Sequence, residues 1–390
     1  MKKTILSLLF VSVVLFSCKK DDDDATPTPT PTPSNVVNVS SNITSNTTWE
    51  TGKVYVLTNR IAVTSGATLT VQPGVIVKGE AGTGANATAL IIARGAKIMA
   101  QGTAAQPIIF TSIADEIQPG QIASPNLPTD INGLWGGLIV LGNAPISASA
   151  LSVQIEGIPV SDQNGLYGGS DPNDNSGVIR YISIRHGGAN IGEGNEINGL
   201  TLGGVGAGTT IEYVEVVSNQ DDGIEFFGGT VNVSHALVWN AGDDAIDTDQ
   251  SWAGTLNNFV VIGAGDELFE LDGPEGAMEA KHVIMNGSVK AAGADGLVDN
   301  DGNSYLDMTN VYFFDLTLGQ DFDELPTMYS CTFSNLQASI PAGTVLSDFF
   351  KGGSAAFVTE VGAGANTVGA DMSHFTGWTW ADLNGQLADF

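Results

Sequence analysis

The hexapeptide IEYVEV, residues 211–216, alternates like a β-strand but changes phase in the middle. Ile211, Val214 and Val216 cannot all face one side of a straight strand, because successive side chains point to opposite faces. The slip of one position between Tyr213 and Val214 is typical of a strand that turns a corner. The hexapeptide therefore predicts a bent strand with an apolar side on both halves.

The same pattern recurs through most of the chain. The seven copies begin at Ile179, Ile211, Val233, Leu256, Ala280, Met308 and Met328, with spacings of 32, 22, 23, 24, 28 and 20 residues. A simpler motif repeats 21 residues apart at Leu69 and Leu90. A period near 22 with short apolar strands predicts an all-β fold, a parallel β-helix whose rungs stack ~4.8 Å apart.

Stacking turns each aligned position into a column of side chains. The third position of the pattern holds Tyr181, Tyr213, His235, Asn258, His282, Asn310 and Ser330. This column predicts a polar ladder at a corner, so His235 and His282 are interpreted as hydrogen-bonded ladder members rather than metal ligands or catalysts. Cys331 falls in an apolar column and is expected to be buried and unreactive.

Short acidic runs follow the strands. DDGIEFF, GDDAIDTDQ, DELFELD and DGLVDND begin at residues 221, 242, 266 and 295. Acidic residues two positions apart face the same side of a strand, so stacking predicts two columns of carboxylates, called the acidic stripe below. The candidate metal ligands are Asp222, Glu225, Asp243, Asp244, Asp247, Asp249, Asp266, Glu267, Glu270, Asp272, Asp299 and Asp301.

Such columns need a counter-charge. Two unit charges ~4.8 Å apart repel by ~1 kcal/mol in water and by ~3.5 kcal/mol at an effective dielectric near 20. From His186 through Ala280 the chain has 17 Asp and Glu residues and no Lys or Arg. Calcium is therefore the expected cofactor, because it accepts irregular shells of oxygen ligands. A solvated acidic face and a set of catalytic carboxylates are the alternatives.

The N-terminal residues predict export and anchoring. Residues 1–17 have the charged start and short apolar run of a signal peptide. Leu15-Phe16-Ser17-Cys18 resembles a bacterial lipobox, which implies lipid attachment at Cys18. Residues 18–34 contain CKKDDDD, which resembles an export signal for the outer face of the outer membrane, and the Thr-Pro repeats of an extended tether. Residues 35–353 are assigned to the β-helix and 354–390 to a C-terminal cap.

The net charge of −29 excludes nucleic acid as a partner, since both surfaces would be anionic. The expected contacts are the outer membrane, through the lipid, and an extracellular glycan or another envelope protein. A polyanionic partner would require bridging calcium.

The sequence resembles two groups of proteins, and these resemblances support the functional prediction. DDGIE and GDDAID resemble turns of right-handed parallel β-helix proteins, including pectate lyases and polygalacturonases. GLWGGLIVLG, residues 133–142, and ADMSHFTGWTWADL, residues 370–383, resemble surface β-helix lipoproteins of Bacteroidota. These resemblances imply a right-handed helix at the cell surface.

The first functional expectation is a calcium-dependent binding or structural protein. The second is a polysaccharide hydrolase or lyase that uses the acidic stripe. No residue is assigned a catalytic role. The stripe from Asp221 to Asp272 contains no Arg or Lys to act as the base of a lyase, which disfavours that activity; the nearest are Arg180, Arg185, Lys281 and Lys290.

Overall fold

The computed structural model describes residues 35–191 and 197–390, and there the chain is a right-handed parallel β-helix. The strands are β1 (Val36–Val39), β2 (Thr47–Trp49), β3 (Val54–Leu57), β4 (Ile61–Val63), β5 (Thr68–Val71), β6 (Ile76–Gly79), β7 (Leu90–Ile92), β8 (Lys97–Gln101), β9 (Ile108–Ser112), β10 (Leu138–Leu141), β11 (Val153–Gln154), β12 (Leu166–Tyr167), β13 (Gly177–Arg185), β14 (Leu200–Gly203), β15 (Thr210–Val217), β16 (Ile224–Phe227), β17 (Val233–Trp239), β18 (Ile246–Asp249), β19 (Thr255–Ile262), β20 (Phe269–Leu271), β21 (His282–Lys290), β22 (Asp299–Asn300), β23 (Leu306–Phe314), β24 (Thr332–Ser334), β25 (Leu336–Ala338) and β26 (Val358–Glu360).

Within residues 35–191 and 197–390, helical structure is limited to single turns. The α-helix is α1 (Trp380–Leu383), and the 3-10 helices are Gly84–Asn86, Gln163–Gly165, Leu346–Asp348, Ser354–Phe357, Met372–His374 and Gln386–Asp389. In the part of the chain that the structure describes, no helix has the length and apolar character needed to cross a membrane.

Each rung has three faces. The long strand β13 pairs with β8 through Gly177–Arg180 and with β9 through Ile182–Ile184, so its two halves extend two different sheets. Face 1 contains β2, β5, β8 and the first halves of the long strands, and face 2 contains β1, β3, β6, β9 and their second halves. Face 3 is the eight-stranded parallel sheet β4-β7-β10-β14-β16-β18-β20-β22. Inward-facing Ile, Val, Leu and Phe side chains of all three faces form one continuous core.

The corner between faces 1 and 2 confirms the bent strand. The corner residues have φ between 49° and 58°, and they are Tyr181, Tyr213, His235, Asn258, Asn286, Asn310 and Asn335. Asparagine tolerates this left-handed conformation better than most residues. Its amides also form a ladder: Asn310 Nδ2 donates to Asn286 Oδ1 at 2.9 Å, and Asn335 Nδ2 donates to Asn310 Oδ1 at 2.6 Å.

Two predicted copies of the pattern have the wrong register. Ile284 pairs with Leu256 and Phe333 with Met308, so these copies begin four and five residues later than Ala280 and Met328. The extra residues lie in the connections that precede β21 and β24. A glycine, Gly287, also replaces the apolar residue expected at one position of β21. No larger residue fits there, because a Cβ on Gly287 would lie 2.0 Å from the Phe259 ring.

The register change moves two residues discussed above. His282 is not a corner residue; its ring is 1% exposed and stacks on Trp252 with centroids 5.3 Å apart. Burial lowers the pKa of His282 to about 3, so the ring is neutral. Cys331 lies outside the apolar column, half-buried, and its Sγ accepts a hydrogen bond from the Leu306 N–H at 3.4 Å. Burial raises the pKa of its thiol, which agrees with an unreactive side chain.

Part of the C-terminal segment packs along the side of the helix. Strand β26 adds to β25, and residues 370–390, called the strap, then return along the outside of face 2. There Phe375, Trp380 and Ala381 bury an apolar patch that includes Val217, Leu237, Trp239, Val260 and Ile262. The strap lies here because the outward side of these strands is apolar and needs cover.

A buried ion pair fastens the strap. Glu215 Oε1 accepts a hydrogen bond from the Ala381 N–H at 2.9 Å, and Glu215 Oε2 lies 3.6 Å from Arg185 Nη2. Arg185 is fully buried, and its guanidinium lies 4.8 Å from the centre of the Trp380 ring. The charges of Arg185 and Glu215 are therefore used within the fold.

A second excursion covers part of face 3. Residues 145–168, called the lid, contain the antiparallel pair β11 and β12 and bury the apolar outer side of β7 and β10. Arg94 Nη1 donates to Ser152 Oγ at 2.8 Å and to the Gly168 carbonyl at 2.7 Å. Next to Gly168, Tyr167 Oη donates to Gln250 Oε1 at 2.9 Å, which brings this end of the lid to the edge of the acidic stripe.

The corner ladder predicts an unusual order of mutant stabilities. Asn310→Gly should destabilise the protein less than Asn310→Ala, by about 1 kcal/mol, because alanine disfavours φ near 57° whereas glycine accepts it. Urea unfolding of the two variants measures the difference, since both remove the same amide hydrogen bonds. If Asn310→Ala proves equally or more stable, the left-handed corner does not set the energetics.

Candidate functional site

The acidic stripe lies on the outward side of face 3. Backbone pairing places Glu225 beside Asp247, Asp247 beside Glu270, and Glu270 beside Asp299, which confirms one column of carboxylates on four successive rungs. The same column continues in the other direction as Thr201, Ile139, Ile91 and Ala62. The outer side of face 3 therefore changes from an apolar half under the lid to an acidic half.

A second column runs parallel to the first. Asp249 pairs with Phe227, and Asp272 follows the β20 residue that pairs with Thr248. Asp301 directly follows Asn300, the partner of Leu271. Asp249, Asp272 and Asp301 thus occupy equivalent positions on three rungs, as the sequence predicts.

The corner that precedes face 3 contributes a third set. Asp222 Oδ1 accepts a hydrogen bond from the Asp244 N–H at 3.0 Å, and Asp244 Oδ1 accepts one from the Glu267 N–H at 2.7 Å. These carboxylates hold the backbone of the next rung, a structural role that the sequence pattern did not reveal. Asp243 and Asp266 stand beside them on the exposed outside of the corner, together with Asp295.

Burial divides the stripe into two parts. Asp222, Glu225, Asp244 and Asp247 are 7%, 5%, 4% and 7% exposed. Asp249, Glu267, Glu270 and Asp272 are partly buried. The exposed members are Asp243, Asp266, Asp299 and Asp301. Water can solvate only the last group freely, so the repulsion is concentrated in the buried group.

Burial raises the pKa values of the carboxyl groups, and their neighbours raise them further. The pKa rises to about 10 at Asp244, where the hydrogen bond with Glu270 adds to burial, and to about 8 at Asp249, where the charge of Asp272 adds to it. It is about 8 at Glu267 and about 7 at Asp272. At Asp222, Glu225 and Asp247 the pKa lies well above its ordinary value for the same reasons, burial first and then the other carboxylates.

Among the described residues, two sets of three carboxylates have ligand atoms within 4.8 Å of one another. The first set is Asp221, Asp222 and Asp243, and the second is Asp222, Glu225 and Asp247, all three buried. Each carboxylate offers oxygen ligands of the kind that Ca²⁺ and Mg²⁺ prefer. Glu270, Asp272, Asp299 and Asp301 lie one or two rungs beyond Asp247 and do not join either set.

Sequence reasoning missed residues that reach the stripe from outside the repeat. Asn198 precedes β14, and its Nδ2 donates to Glu225 Oε2 and, at 3.3 Å, to Glu156 Oε1 of the lid. Beyond the lid, Gln250 Nε2 donates to Glu275 Oε2 at 3.1 Å. An acidic residue in an insertion gives no periodic signal, so the motif search could not place Glu156 or Glu275 here.

The basic residues that are nearest to the stripe in sequence form their ion pairs with other residues. Arg180 forms an ion pair with Glu212, Lys281 with Asp307 at 2.6 Å, and Lys290 with Asp389 at 2.6 Å. Arg185 is enclosed beneath the strap with Glu215. An Arg or Lys base of the lyase kind is therefore not supplied to the stripe by any of these four residues.

Comparison with known protein families gives one match. A family model described as "Pectate-lyase like beta helix domain" matches residues 41–324, more than half of the chain. The chain belongs to this family. The matched range includes face 3 and the acidic stripe through Asp301, and membership fits a carbohydrate-related function. Comparisons with curated proteins and with solved structures gave no match.

The raised pKa values predict that metal-free protein loses stability as the pH rises. Between about pH 4 and pH 8 the folded carboxyl groups hold protons that the unfolded chain has released, so the unfolding free energy falls with pH through the folded pKa values. We expect a loss of at least about 2 kcal/mol between pH 5 and pH 9. Urea unfolding in EDTA measures it.

Asp244→Asn is the matched control for this pH series. The amide can still accept the hydrogen bond from the Glu267 N–H but cannot titrate. The variant should therefore show a shallower fall of unfolding free energy with pH. A flat or rising profile in the unmodified protein contradicts the buried acidic columns.

Proposed function

We propose that this protein is a surface-displayed lipoprotein whose acidic stripe binds an extracellular glycan through divalent cations, with calcium as the preferred ion. The observation that carries the proposal is the run of carboxylates on successive rungs of face 3. It lies in a stretch of sequence, His186 to Ala280, that contains no Lys or Arg. Membership of a pectate-lyase-like β-helix family supports a carbohydrate as the ligand.

The exposed carboxylates are suited to ligand contact. Asp266, Asp299 and Asp301 project from adjacent rungs, so ions held there would keep open coordination positions toward solvent. Sugar hydroxyl and carboxylate oxygens are ligands of the same hard type. Because the net charge of the chain is −29, a polyanionic glycan or an acidic envelope protein would need these ions as bridges.

The ion pairs of the four basic residues nearest to the stripe in sequence favour binding over elimination chemistry. Proton abstraction needs a base within about 3 Å of the proton it removes, and Arg180, Arg185, Lys281 and Lys290 are engaged in other ion pairs. Hydrolysis by paired carboxylates is the competing activity, and the experiment below reads for it directly.

Glycan retention should depend on calcium and on the exposed carboxylates. The full chain is passed over a panel of immobilised extracellular polysaccharides in calcium and then in EDTA. We expect retention in calcium, release by EDTA, and about tenfold weaker retention for Asp266→Asn combined with Asp299→Asn, the loss expected for ~1.4 kcal/mol of binding. Glu360→Gln, an exposed change on β26 away from the stripe, is the control and should bind normally.

The products of the same panel separate binding from catalysis. A binding protein leaves the polysaccharides intact, whereas new reducing ends identify a hydrolase and unsaturated ends identify a lyase. Retention that is unaffected by EDTA contradicts a cation-bridged ligand.

The lipid anchor is proposed from Cys18, which lies outside the described residues together with the rest of residues 1–34. Cys18→Ala should move the protein from the membrane fraction to the soluble fraction, because the anchoring thiol is lost. Immunoblotting of fractionated cells measures the distribution, with Cys331→Ala as the matched control that keeps the anchor. Continued membrane association of Cys18→Ala contradicts the anchor.

A further inference from the structure

The buried carboxylates of the stripe could hold an ion only out of contact with a large ligand, unlike the exposed carboxylates. Asp222, Glu225 and Asp247 come from two adjacent rungs and point toward one another, with ligand atoms within 4.8 Å. Each is at most 7% exposed, so none of the three can present an ion to a ligand as large as a glycan. An ion held by all three would be enclosed.

Two buried oxygen atoms at this carboxylate group have no hydrogen-bond partner. Asp247 Oδ1 is buried and has no hydrogen-bond partner, and neither does Oδ1 of Asn198, a residue that is 0% exposed. The Asn198 amide lies against Glu225 and Glu156 through its Nδ2. A half-turn of that amide exchanges its two ends and aims Oδ1 at the carboxylates, which adds a neutral oxygen ligand.

The lid closes over this group. Glu156 of the lid contacts Asn198. The C-terminal end of the lid is fixed by the hydrogen bonds from Arg94 to Gly168 and from Tyr167 Oη to Gln250. Tyr167 itself is 2% exposed. An ion beneath it cannot leave without local opening of the lid, a step that slows its exchange.

We infer that Asp222, Glu225 and Asp247, with Asn198, form a closed structural calcium centre beneath the lid, separate from the exposed carboxylates that meet the ligand. The inference rests on the cation binding proposed above and divides it into two tasks. The enclosed ion joins adjacent rungs and stabilises the fold, whereas the exposed ions exchange freely and bridge to glycan.

The test compares two charge-matched substitutions in the full chain. Protein loaded with calcium is transferred to EDTA, and the calcium remaining per chain is followed by elemental analysis. Unmodified protein and Asp266→Asn should both keep one ion that is released at least about tenfold more slowly than the others, because the lid must open first. Asp247→Asn should lack that ion.

Thermal unfolding supplies a second readout. Calcium should raise the midpoint of unmodified protein and of Asp266→Asn by several degrees relative to EDTA. In Asp247→Asn the rise should be clearly smaller, because the exposed ions alone remain. Its midpoint in EDTA should be no lower than that of unmodified protein, because one member of a mutually repelling group of buried carboxyls has been removed. That last measurement shows that the variant folds.

The lid is tested separately with Tyr167→Phe. This change removes only the hydroxyl that bonds to Gln250, so the slow ion should still bind but leave several times faster. Slow release and a full calcium-induced rise in Asp247→Asn, or the lack of any slow ion in unmodified protein, would overturn the inference.

The two proposals can fail independently. A slowly released ion without glycan retention keeps the closed centre and rejects the proposed ligand. Calcium-dependent glycan retention without a slowly released ion keeps the ligand and rejects the closed centre.

Discussion

Stacking of rungs through parallel backbone hydrogen bonds is the constraint on which everything else in this protein depends. A residue in a rung has as neighbours the residues at the same position above and below, at ~4.8 Å. Apolar positions consequently merge into a core, asparagines at the corner form an amide ladder, and carboxylates on face 3 accumulate. Stacking therefore lets the corner amides hydrogen-bond to one another, and it also places the carboxylates of face 3 close together.

The repeat made most of the fold predictable from the sequence. The phase slip at Tyr213 locates a corner because a single buried side cannot explain it, and the left-handed φ of 57° there agrees. The register was wrong at β21, where Gly287 occupies an apolar position and AKHVIM, residues 280–285, imitates the pattern across the start of the strand. An imitation of this kind can be rejected only by knowing that the Phe259 ring already fills the space beside Gly287.

The sequence predicted that the carboxylates of the candidate site align in columns, but not which of them are buried. Asp247 and Asp249 stand two apart, and this spacing alone places them on one side of a strand. Asp247 is nevertheless buried and Asp249 only partly buried. The lid that packs against Ile91 and Ile139 leaves no periodic trace in the sequence. Asn198 was missed because it lies one rung before the acidic runs begin, where the same column still holds Thr201.

The strap changes how the molecule is connected. In a simple solenoid each repeat contacts only its neighbours, and stability is close to a sum of nearest-neighbour terms. Here Trp378 packs on Tyr181 of β13, Lys290 of β21 pairs with Asp389, and Phe390 packs on Phe314 of β23. One segment thus links rungs that do not touch one another. We therefore expect the rungs from β13 to β23 to unfold together and not as the independent units of a linear array.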